Sequence, residues 1–468
     1  MEVRILNGAH VAVAFGEPVA AMVHQVVAKR IERFLNGNSR SPASGGEGRD
    51  TGESAAVEIA DGWLLRVNTA PAASSPQMED LLRALALEAI VVGEQCIHIA
   101  PSVSVCNEQG LSTEPGGDQA LSAIASDAPF AGEPVTHDTG WAERYRNDMR
   151  VAARLLADLK AGDLSLAFQP IRMALRKDKQ LYEECLLRLP QEAGLPRGPG
   201  LDIMALERLG LIRVLDCHIM WLAIEQLRVE PERRLGVNIS AQSACLDGWW
   251  AALSAALEAE HELAERITIE ITETSGFPSM SAAIAFAQRL RQLGCRIALD
   301  DFGAGRDAIR NLYALQPDIV KIDAFFVRQA RRSSRGQAAL KALVGFARAI
   351  GGTVVAEGVE TKADCDAAAQ AGAAWQQGFF IDPPQHAGVE PGTEVSVHET
   401  RGAFGRRPVP PALAYVVEMP PAASAVDARV VSLPPRFELR WLQWAISLGV
   451  LFWALIAGTA WLGWGGSS

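Results

Sequence analysis

Short apolar runs alternate with helical segments from residue 166 to residue 381, and this alternation predicts strands separated by helices. Eight strand–helix repeats in one domain favour an α/β fold of the TIM-type (β/α)8 barrel class, in which the strand ends form one mouth. We assign this barrel to residues 141–390, beginning with an amphipathic helix at 142–159. The predicted strands are 166–169, 182–189, 235–239, 267–271, 297–299, 319–322, 353–356 and 375–381.

Residues 1–140 have a less regular pattern than the barrel region. Apolar runs at 3–6, 57–67 and 96–105 are predicted strands, and spaced apolar residues at 17–35 and 78–89 predict helices. The stretch 36–54 is rich in Gly, Ser and Asn and is predicted to be a loop. This region is therefore expected to form a small α/β domain in front of the barrel.

The C-terminal part of the chain contains two segments of different character. Residues 391–436 carry repeated Pro-Pro pairs and predict an extended, semi-rigid linker. Residues 437–466 predict a single transmembrane helix, because 441–464 contains no charged residue and is long enough to cross a bilayer. Tryptophans stand at both ends of this stretch, and the preceding Arg436 and Arg440 place the barrel on the cytoplasmic side. A buried core helix or a partner-binding amphipathic helix is the alternative.

The net charge and the pattern of cysteines and histidines exclude some classes of protein and some kinds of metal site. A net charge of −11 argues against a protein that coats a nucleic-acid polymer, since such proteins carry basic faces. The seven cysteines are scattered without a Cys-x-x-Cys pair, and the eight histidines show no zinc-type spacing. These features favour reduced thiols in a cytosolic compartment and, for any metal site, a hard ion bound by oxygen.

Polar residues interrupt the predicted strands, although a buried charge is costly unless it is paired or bound to metal. Each has an ordinary explanation by itself: Asn238 could cap a helix, Lys321 could pair with Asp323, and Asp300 could belong to a solvated turn. Together, at the ends of successive strands, they predict a carboxylate-rich site for divalent cations at the barrel mouth. These residues are Gln169, Glu184, Asn238, Glu270, Asp300, Asp301, Lys321, Glu357 and Gln377.

The order of short motifs along this region resembles the EAL domain family. The motifs are Gln-Pro at 169–170, Glu-Cys-Leu-Leu-Arg at 184–188, Val-Asn-Ile-Ser at 237–240, Glu-Ile-Thr-Glu at 270–273, Asp-Asp-Phe-Gly-Ala-Gly at 300–305, Lys-Ile-Asp at 321–323, Glu-Gly-Val-Glu at 357–360 and Gln-Gln-Gly-Phe at 376–379. The resemblance covers about residues 145–390. It implies metal-dependent hydrolysis of cyclic di-GMP to linear pGpG. The predicted transmembrane helix adds the expectation of a tail anchor in the bacterial inner (cytoplasmic) membrane, with the barrel in the cytoplasm.

The same resemblance implies a role for each motif residue, and it implies a homodimer. The ligands of two Mg²⁺ or Mn²⁺ ions would be Glu184, Asn238, Glu270, Asp300 and Asp301. Lys321 would position and polarise the attacking water, with Glu357 and Gln377 in the surrounding catalytic network. The substrate would be contacted by Gln169, Arg188 and Asp323. The loops of the site would be braced by Glu273 and Glu360.

Departures from the family pattern leave two alternatives open. The loop 304–308 reads Ala-Gly-Arg-Asp-Ala in place of the usual Thr, aromatic and Ser residues. This divergence favours, as the alternative function, a catalytically silent cyclic di-GMP receptor that acts through a protein partner. Residues 1–140 resemble a degenerate GGDEF domain whose signature is replaced by Ala-Asp-Gly-Trp at 60–63, which argues against cyclase activity. An unrelated small α/β domain is the alternative there.

Overall fold

The computed structural model describes residues 1–38, 55–59, 62–66, 74–104, 140–174, 176–190, 198–272, 276–305, 307–386 and 416–417. The N-terminal elements are β1 (Glu2–Ile5), α1 (Gly8–Phe15), α2 (Glu17–Asn38), β2 (Ala55–Ile59), β3 (Gly62–Arg66), α3 (Ser74–Leu87), β4 (Ile90–Val92), β5 (Gln95–Ile97) and β6 (Pro101–Ser104). Four of these strands form an antiparallel sheet in the order β2–β3–β1–β6. A separate β4–β5 hairpin pairs with a two-residue strand at Val416–Val417.

The predicted helices at 17–35 and 78–89 and the predicted strand at 3–6 are confirmed by α2, α3 and β1. The apolar runs 57–67 and 96–105 each overlap two strands, β2 and β3 in the first run and β5 and β6 in the second. Gly62, which begins β3, allows the backbones of β1 and β3 to approach closely. A Cβ atom at this position would overlap the carbonyl oxygen of Val3.

The barrel is a closed ring of the eight strands β7 to β14, because β14 also pairs with β7. The short strand β15 lies beside β7. The elements of this region are α4 (Trp141–Ala161), β7 (Ser165–Met173), β8 (Arg176–Arg188), α5 (Gly200–Leu209), α6 (Ile212–Val229), β9 (Leu235–Ser240), α7 (Gly248–Ala259), α8 (His261–Ala264), β10 (Ile267–Thr272), α9 (Met280–Leu293), β11 (Arg296–Phe302), α10 (Ala308–Leu315), β12 (Ile319–Ile322), α11 (Ala324–Arg332), α12 (Ser334–Ile350), β13 (Thr353–Ala356), α13 (Lys362–Ala371), β14 (Trp375–Gln376) and β15 (Gln385–His386).

The prediction of a regular strand–helix alternation is wrong at both ends of the barrel. Only two residues join β7 to β8, so these strands form an antiparallel hairpin, and α5 and α6 both follow β8. A connection this short cannot carry the crossover that a parallel pair requires. The predicted last strand, 375–381, is reduced to Trp375–Gln376, since the backbone turns at Gly378, where φ is +150°.

Helix α9 illustrates how the local sequence forms the outer layer. The Ser279 hydroxyl accepts a hydrogen bond from the Ala282 amide and so caps the first turn, and Gly294 ends the helix in a left-handed conformation. Apolar residues at intervals of three and four turn one face toward the strands. The buried residues of this face are Ala283, Phe286, Ala287, Leu290 and Leu293.

Residues 1–418 form one compact unit in which the N-terminal elements pack against barrel helices. The Trp249 indole at the start of α7 donates a hydrogen bond to the Pro101 carbonyl at 3.3 Å, and Trp221 donates to Glu79 at 2.9 Å. Among the residues described, no helix is both long enough and apolar enough to span a membrane. The predicted transmembrane segment at 437–466 lies outside those residues, as does the 391–436 linker apart from Val416–Val417.

Candidate metal centre

Alternate residues of each barrel strand point inward, which arranges the interior in layers. The lower layer is an apolar cluster that includes Ile171, Tyr182, Ala298, Ile319 and Val355. One step nearer the mouth, the corresponding positions are polar. The side chains of this upper layer are Gln169, Glu184, Asn238, Glu270, Asp300, Lys321, Glu357 and Gln377.

Lys321 lies at the centre of this polar layer and is fully buried. Its ammonium group is 2.5 Å from Glu270 Oε2, 2.8 Å from Glu357 Oε1, 2.9 Å from Asp300 Oδ1 and 3.1 Å from Glu184 Oε2. Burial alone would lower the pKa of Lys321, but the surrounding carboxylates raise it well above its ordinary value. The side chain is therefore a permanent cation. It does not form the simple pair with Asp323 that its sequence position allows.

Three side-chain amides complete the layer around Glu184. Asn238 Nδ2 donates to Glu184 Oε1 and Gln377 Nε2 donates to Glu184 Oε2, both at 2.5 Å. Gln377 Nε2 also donates to Gln169 Oε1 at 3.2 Å. Burial acts to raise the pKa of Glu184, but Lys321 and these amides lower it below its ordinary value. Glu184 on β8 is thus ionised, and its carboxylate is contacted by side chains from β9, β12 and the end of β14.

The site carries more negative charge than Lys321 can neutralise. Five carboxylates (Glu184, Glu270, Asp300, Asp301 and Glu357) against one ammonium leave a formal charge of −4. Burial raises the pKa of Glu270 to about 8 and that of Asp301 to about 7, and it raises the pKa of Glu357 well above the ordinary range. These raised pKa values mean that the ionised carboxylates are unfavourable in the pocket without further positive charge. A site that binds cations is expected to have this property.

Two observations fit a divalent metal at this position. Carboxylate oxygens of Glu184, Glu270 and Asp300 lie within 4.8 Å of one another. Within the part of the chain that the structure describes, the buried Asn238 Oδ1 and Glu270 Oε1 have no hydrogen-bond partner. Oxygen atoms of this kind are the ligands that Mg²⁺ and Mn²⁺ prefer. A pair of such ions would also balance the formal charge of −4.

Asp301 and the loop that follows it adopt a conformation that is unusual for the chain. Asp301 has a φ of +52° and Gly303 a φ of +102°, so the backbone turns sharply just after Asp300. A Cβ atom at Gly303 would lie 2.5 Å from the Phe326 ring, so only glycine fits there without a shift. This turn brings both adjacent carboxylates to the mouth, although neighbouring residues of a straight strand would point to opposite faces.

The remaining predicted site residues have separate surroundings and do not join the contacts around Lys321. Arg188 is half-buried at the end of β8, and its guanidinium donates to the Leu187 carbonyl at 3.0 Å. Asp323 caps α11 by accepting a hydrogen bond from the Phe325 amide at 2.7 Å. Glu360 is exposed in the connection between β13 and α13. Glu273 lies outside the described residues. The substrate-binding and loop-bracing roles of these residues stay predictions.

Gly236 is a determinant of the site that the sequence reasoning missed. It pairs with Glu184 in register and lies beneath the polar layer. A Cβ atom at Gly236 would overlap both Glu270 Oε1 and the Tyr182 ring, so alanine there would force the Glu270 carboxylate to move. A glycine inside a strand pattern signals such a close approach. That signal is present in the Leu-Gly-Val-Asn stretch at 235–238.

The fold and this site define a TIM-type barrel with an acidic candidate metal centre at its mouth. Residues 152–384 match the family model described as the EAL domain, and this part of the chain is an EAL domain. The predicted family resemblance is thereby confirmed. The match does not extend into residues 1–140, whose resemblance to a degenerate GGDEF domain stays a prediction.

Curated relatives and solved structures share this region. The cyclic di-GMP phosphodiesterase PdeB of Shewanella oneidensis is 29% identical over 245 residues, covering 51% of this chain and 28% of that protein. The cyclic di-GMP phosphodiesterase PdeF of Escherichia coli is 29% identical over 236 residues, covering 50% and 31%. This chain thus spans less than a third of the length of these relatives. The FimX EAL domain from Pseudomonas aeruginosa, solved with bound c-di-GMP, is 26% identical with a TM-score of 0.46, covering 50% and 96%.

Proposed function

We propose that this protein is a metal-dependent phosphodiesterase that hydrolyses cyclic di-GMP to linear pGpG. The observation that carries the proposal is the buried centre in which Lys321 contacts four carboxylates at the mouth of an EAL barrel. The printed activity of PdeB and PdeF supports the choice of substrate. Two divalent cations, Mg²⁺ or Mn²⁺, would be held by Glu184, Asn238, Glu270, Asp300 and Asp301.

Hydrolysis requires that a water oxygen bond to phosphorus while the bond from phosphorus to the 3′ oxygen breaks. Bound divalent cations would supply Lewis-acid polarisation of the phosphate and lower the pKa of the attacking water. Lys321 is a permanent cation, so it acts as a hydrogen-bond donor that orients the water and stabilises charge on the phosphate oxygens. The proton leaves to a neighbouring carboxylate. Glu357, 2.8 Å from Lys321 Nζ, is suited to accept this proton and to return it to the 3′ oxygen as the bond from phosphorus breaks, which leaves Glu357 unchanged at the end of the step.

Incubation of the purified full-length protein in detergent with cyclic di-GMP and Mg²⁺ or Mn²⁺ tests this function. Chromatography should show linear pGpG, and EDTA should stop its formation. Cyclic di-GMP binding without any product would contradict the enzyme and support the catalytically silent receptor. The receptor is the second candidate because the loop after Asp301 departs from the family pattern. An Asp300→Asn variant prepared in parallel shows whether any activity comes from a contaminating enzyme.

We propose that residues 437–466 anchor the protein in the bacterial inner membrane with the barrel in the cytoplasm. The support is the uncharged stretch 441–464 and the preceding Arg436 and Arg440. We expect the full-length protein in the membrane fraction of cells and a chain ending at Pro435 in the soluble fraction. Release of the full-length protein by alkaline carbonate would contradict a spanning helix. Retention of the shortened chain on membranes would show that attachment uses another surface.

A further inference from the structure

Three charged side chains are buried behind the metal centre, outside the set that the family motifs identify. Glu207 on α5, and Arg213 and Asp216 on α6, are each less than 9% exposed. A buried charge persists only where specific partners compensate its desolvation. All three direct their polar atoms toward the short segment 240–247, which connects β9 to α7 and begins two residues after Asn238.

The two carboxylates hold the first part of this segment. Asp216 Oδ2 accepts a hydrogen bond from the Ser240 amide at 3.0 Å and another from the Ser243 hydroxyl at 2.6 Å. The Ser240 hydroxyl donates to Glu207 Oε1 at 2.7 Å. Ser240 is therefore held through both its backbone and its side chain. Its side chain also accepts from the Gln242 amide, which starts the 3₁₀ turn Ala241–Ser243.

Arg213 holds the second part of the segment. Its guanidinium donates to the Gln242 carbonyl at 3.2 and 3.0 Å and forms an ion pair with Asp247. Asp247 in turn caps α7 by accepting from the Trp249 amide at 3.0 Å. The chain that leaves β9 is thus tied to α5 and α6 at both ends by charge-assisted hydrogen bonds, which are stronger than neutral ones.

We propose that Asp216, assisted by Glu207, is a positioning residue of the metal centre. By holding Ser240 it keeps the end of β9 in the register at which Asn238 Nδ2 donates to Glu184 Oε1 and Asn238 Oδ1 is left for a cation. Residues that orient a metal ligand through a hydrogen bond contribute to metal affinity, and their loss typically weakens metal binding by about 10- to 100-fold. The inference rests on the metal centre of the proposed function and adds a residue on which that centre depends.

Isothermal titration of the full-length protein with Mn²⁺ tests this role without any turnover. Asp216→Leu should weaken Mn²⁺ binding by about 10- to 100-fold, the effect of losing an outer-shell partner. Asp216→Asn should stay close to wild type, because its amide oxygen can still accept from Ser240 and Ser243. The matched control is Glu79→Leu, a buried carboxylate at the N-terminal packing surface, which should leave Mn²⁺ affinity unchanged.

Equal Mn²⁺ affinity in wild type and Asp216→Leu would overturn this inference alone. Absence of Mn²⁺ binding in the wild type would overturn the metal centre and the inference together. If Asp216→Leu does not fold, Ser243→Ala replaces it, because that change removes one donor to Asp216 and leaves the carboxylate in place. It should weaken Mn²⁺ binding several-fold, and unchanged affinity in Ser243→Ala would count against the role of Asp216.

Discussion

Lys321→Ala is expected to lower the rate of cyclic di-GMP hydrolysis by about 10²- to 10³-fold, the range typical for the loss of one preorganised hydrogen-bond donor. The alanine removes an ammonium group that touches Glu184, Glu270, Asp300 and Glu357 together. Steady-state kinetics with saturating Mn²⁺ measures the effect, and the loss should fall on kcat. A variant with the full wild-type rate would show that Lys321 does not orient the attacking water.

The same substitution should also destabilise the metal-free protein. The sequence alone gives Lys321 a role toward the attacking water and so predicts that Lys321→Ala leaves the fold intact. The four ion pairs show that its removal leaves buried carboxylates without their partner, which typically costs about 3–5 kcal/mol. The midpoint of thermal unfolding in EDTA should therefore fall, and Mn²⁺ should restore much of the loss. The control is Lys362→Ala, whose exposed pair with Asp366 should leave the midpoint close to that of the wild type. An unchanged midpoint for Lys321→Ala in EDTA would contradict the buried ion-pair cluster.

Asp300→Asn is expected to abolish measurable turnover, with a loss of at least about 10²- to 10³-fold, since metal-ion catalysis supplies several kcal/mol. The change keeps the size of the side chain but removes one of the carboxylates grouped within 4.8 Å of one another. Mn²⁺ binding should weaken strongly. The stabilisation by Mn²⁺, about 2.7 kcal/mol for the wild type at a hundredfold excess over Kd, should shrink accordingly.

In the metal-free protein, Asp300→Asn should not lower the midpoint of thermal unfolding, whereas Lys321→Ala should lower it. Burial raises the pKa of Asp300, so its ionised form is disfavoured in the folded state, and a neutral amide relieves repulsion in a site with excess negative charge. Thermal unfolding in EDTA should therefore occur at the same temperature as wild type or higher. A lower midpoint in EDTA together with an unchanged Mn²⁺ shift would contradict Asp300 as a metal ligand.

The sequence by itself determined the barrel and most of the residues at its mouth. Both conclusions depend on local patterns: apolar runs of strand length mark β8 to β13, and polar residues at the ends of those runs mark Glu184, Asn238, Glu270 and Asp300. Such patterns can be recognised in a sequence because side chains of a strand alternate between its two faces and the strand ends of a barrel meet at one mouth. The EAL motif order added the roles of these residues, which stay predictions.

Only the tertiary structure decided which of these groups meet and which residues support them. Lys321 could have paired with Asp323, two positions away, but it contacts Glu184, 137 residues distant, because barrel closure brings the two together. The strand at 166–169 was predicted, but its antiparallel pairing with β8 was missed, because the polar stretch 176–180 hides the start of β8. The supports at Gly236 and Asp216 were missed for a related reason. Their importance lies in the overlap that a Cβ would create and in hydrogen bonds to Ser240 and Ser243. Contacts of this kind depend on strand register and helix packing, which bring together residues far apart in the chain, and local periodicity does not encode them.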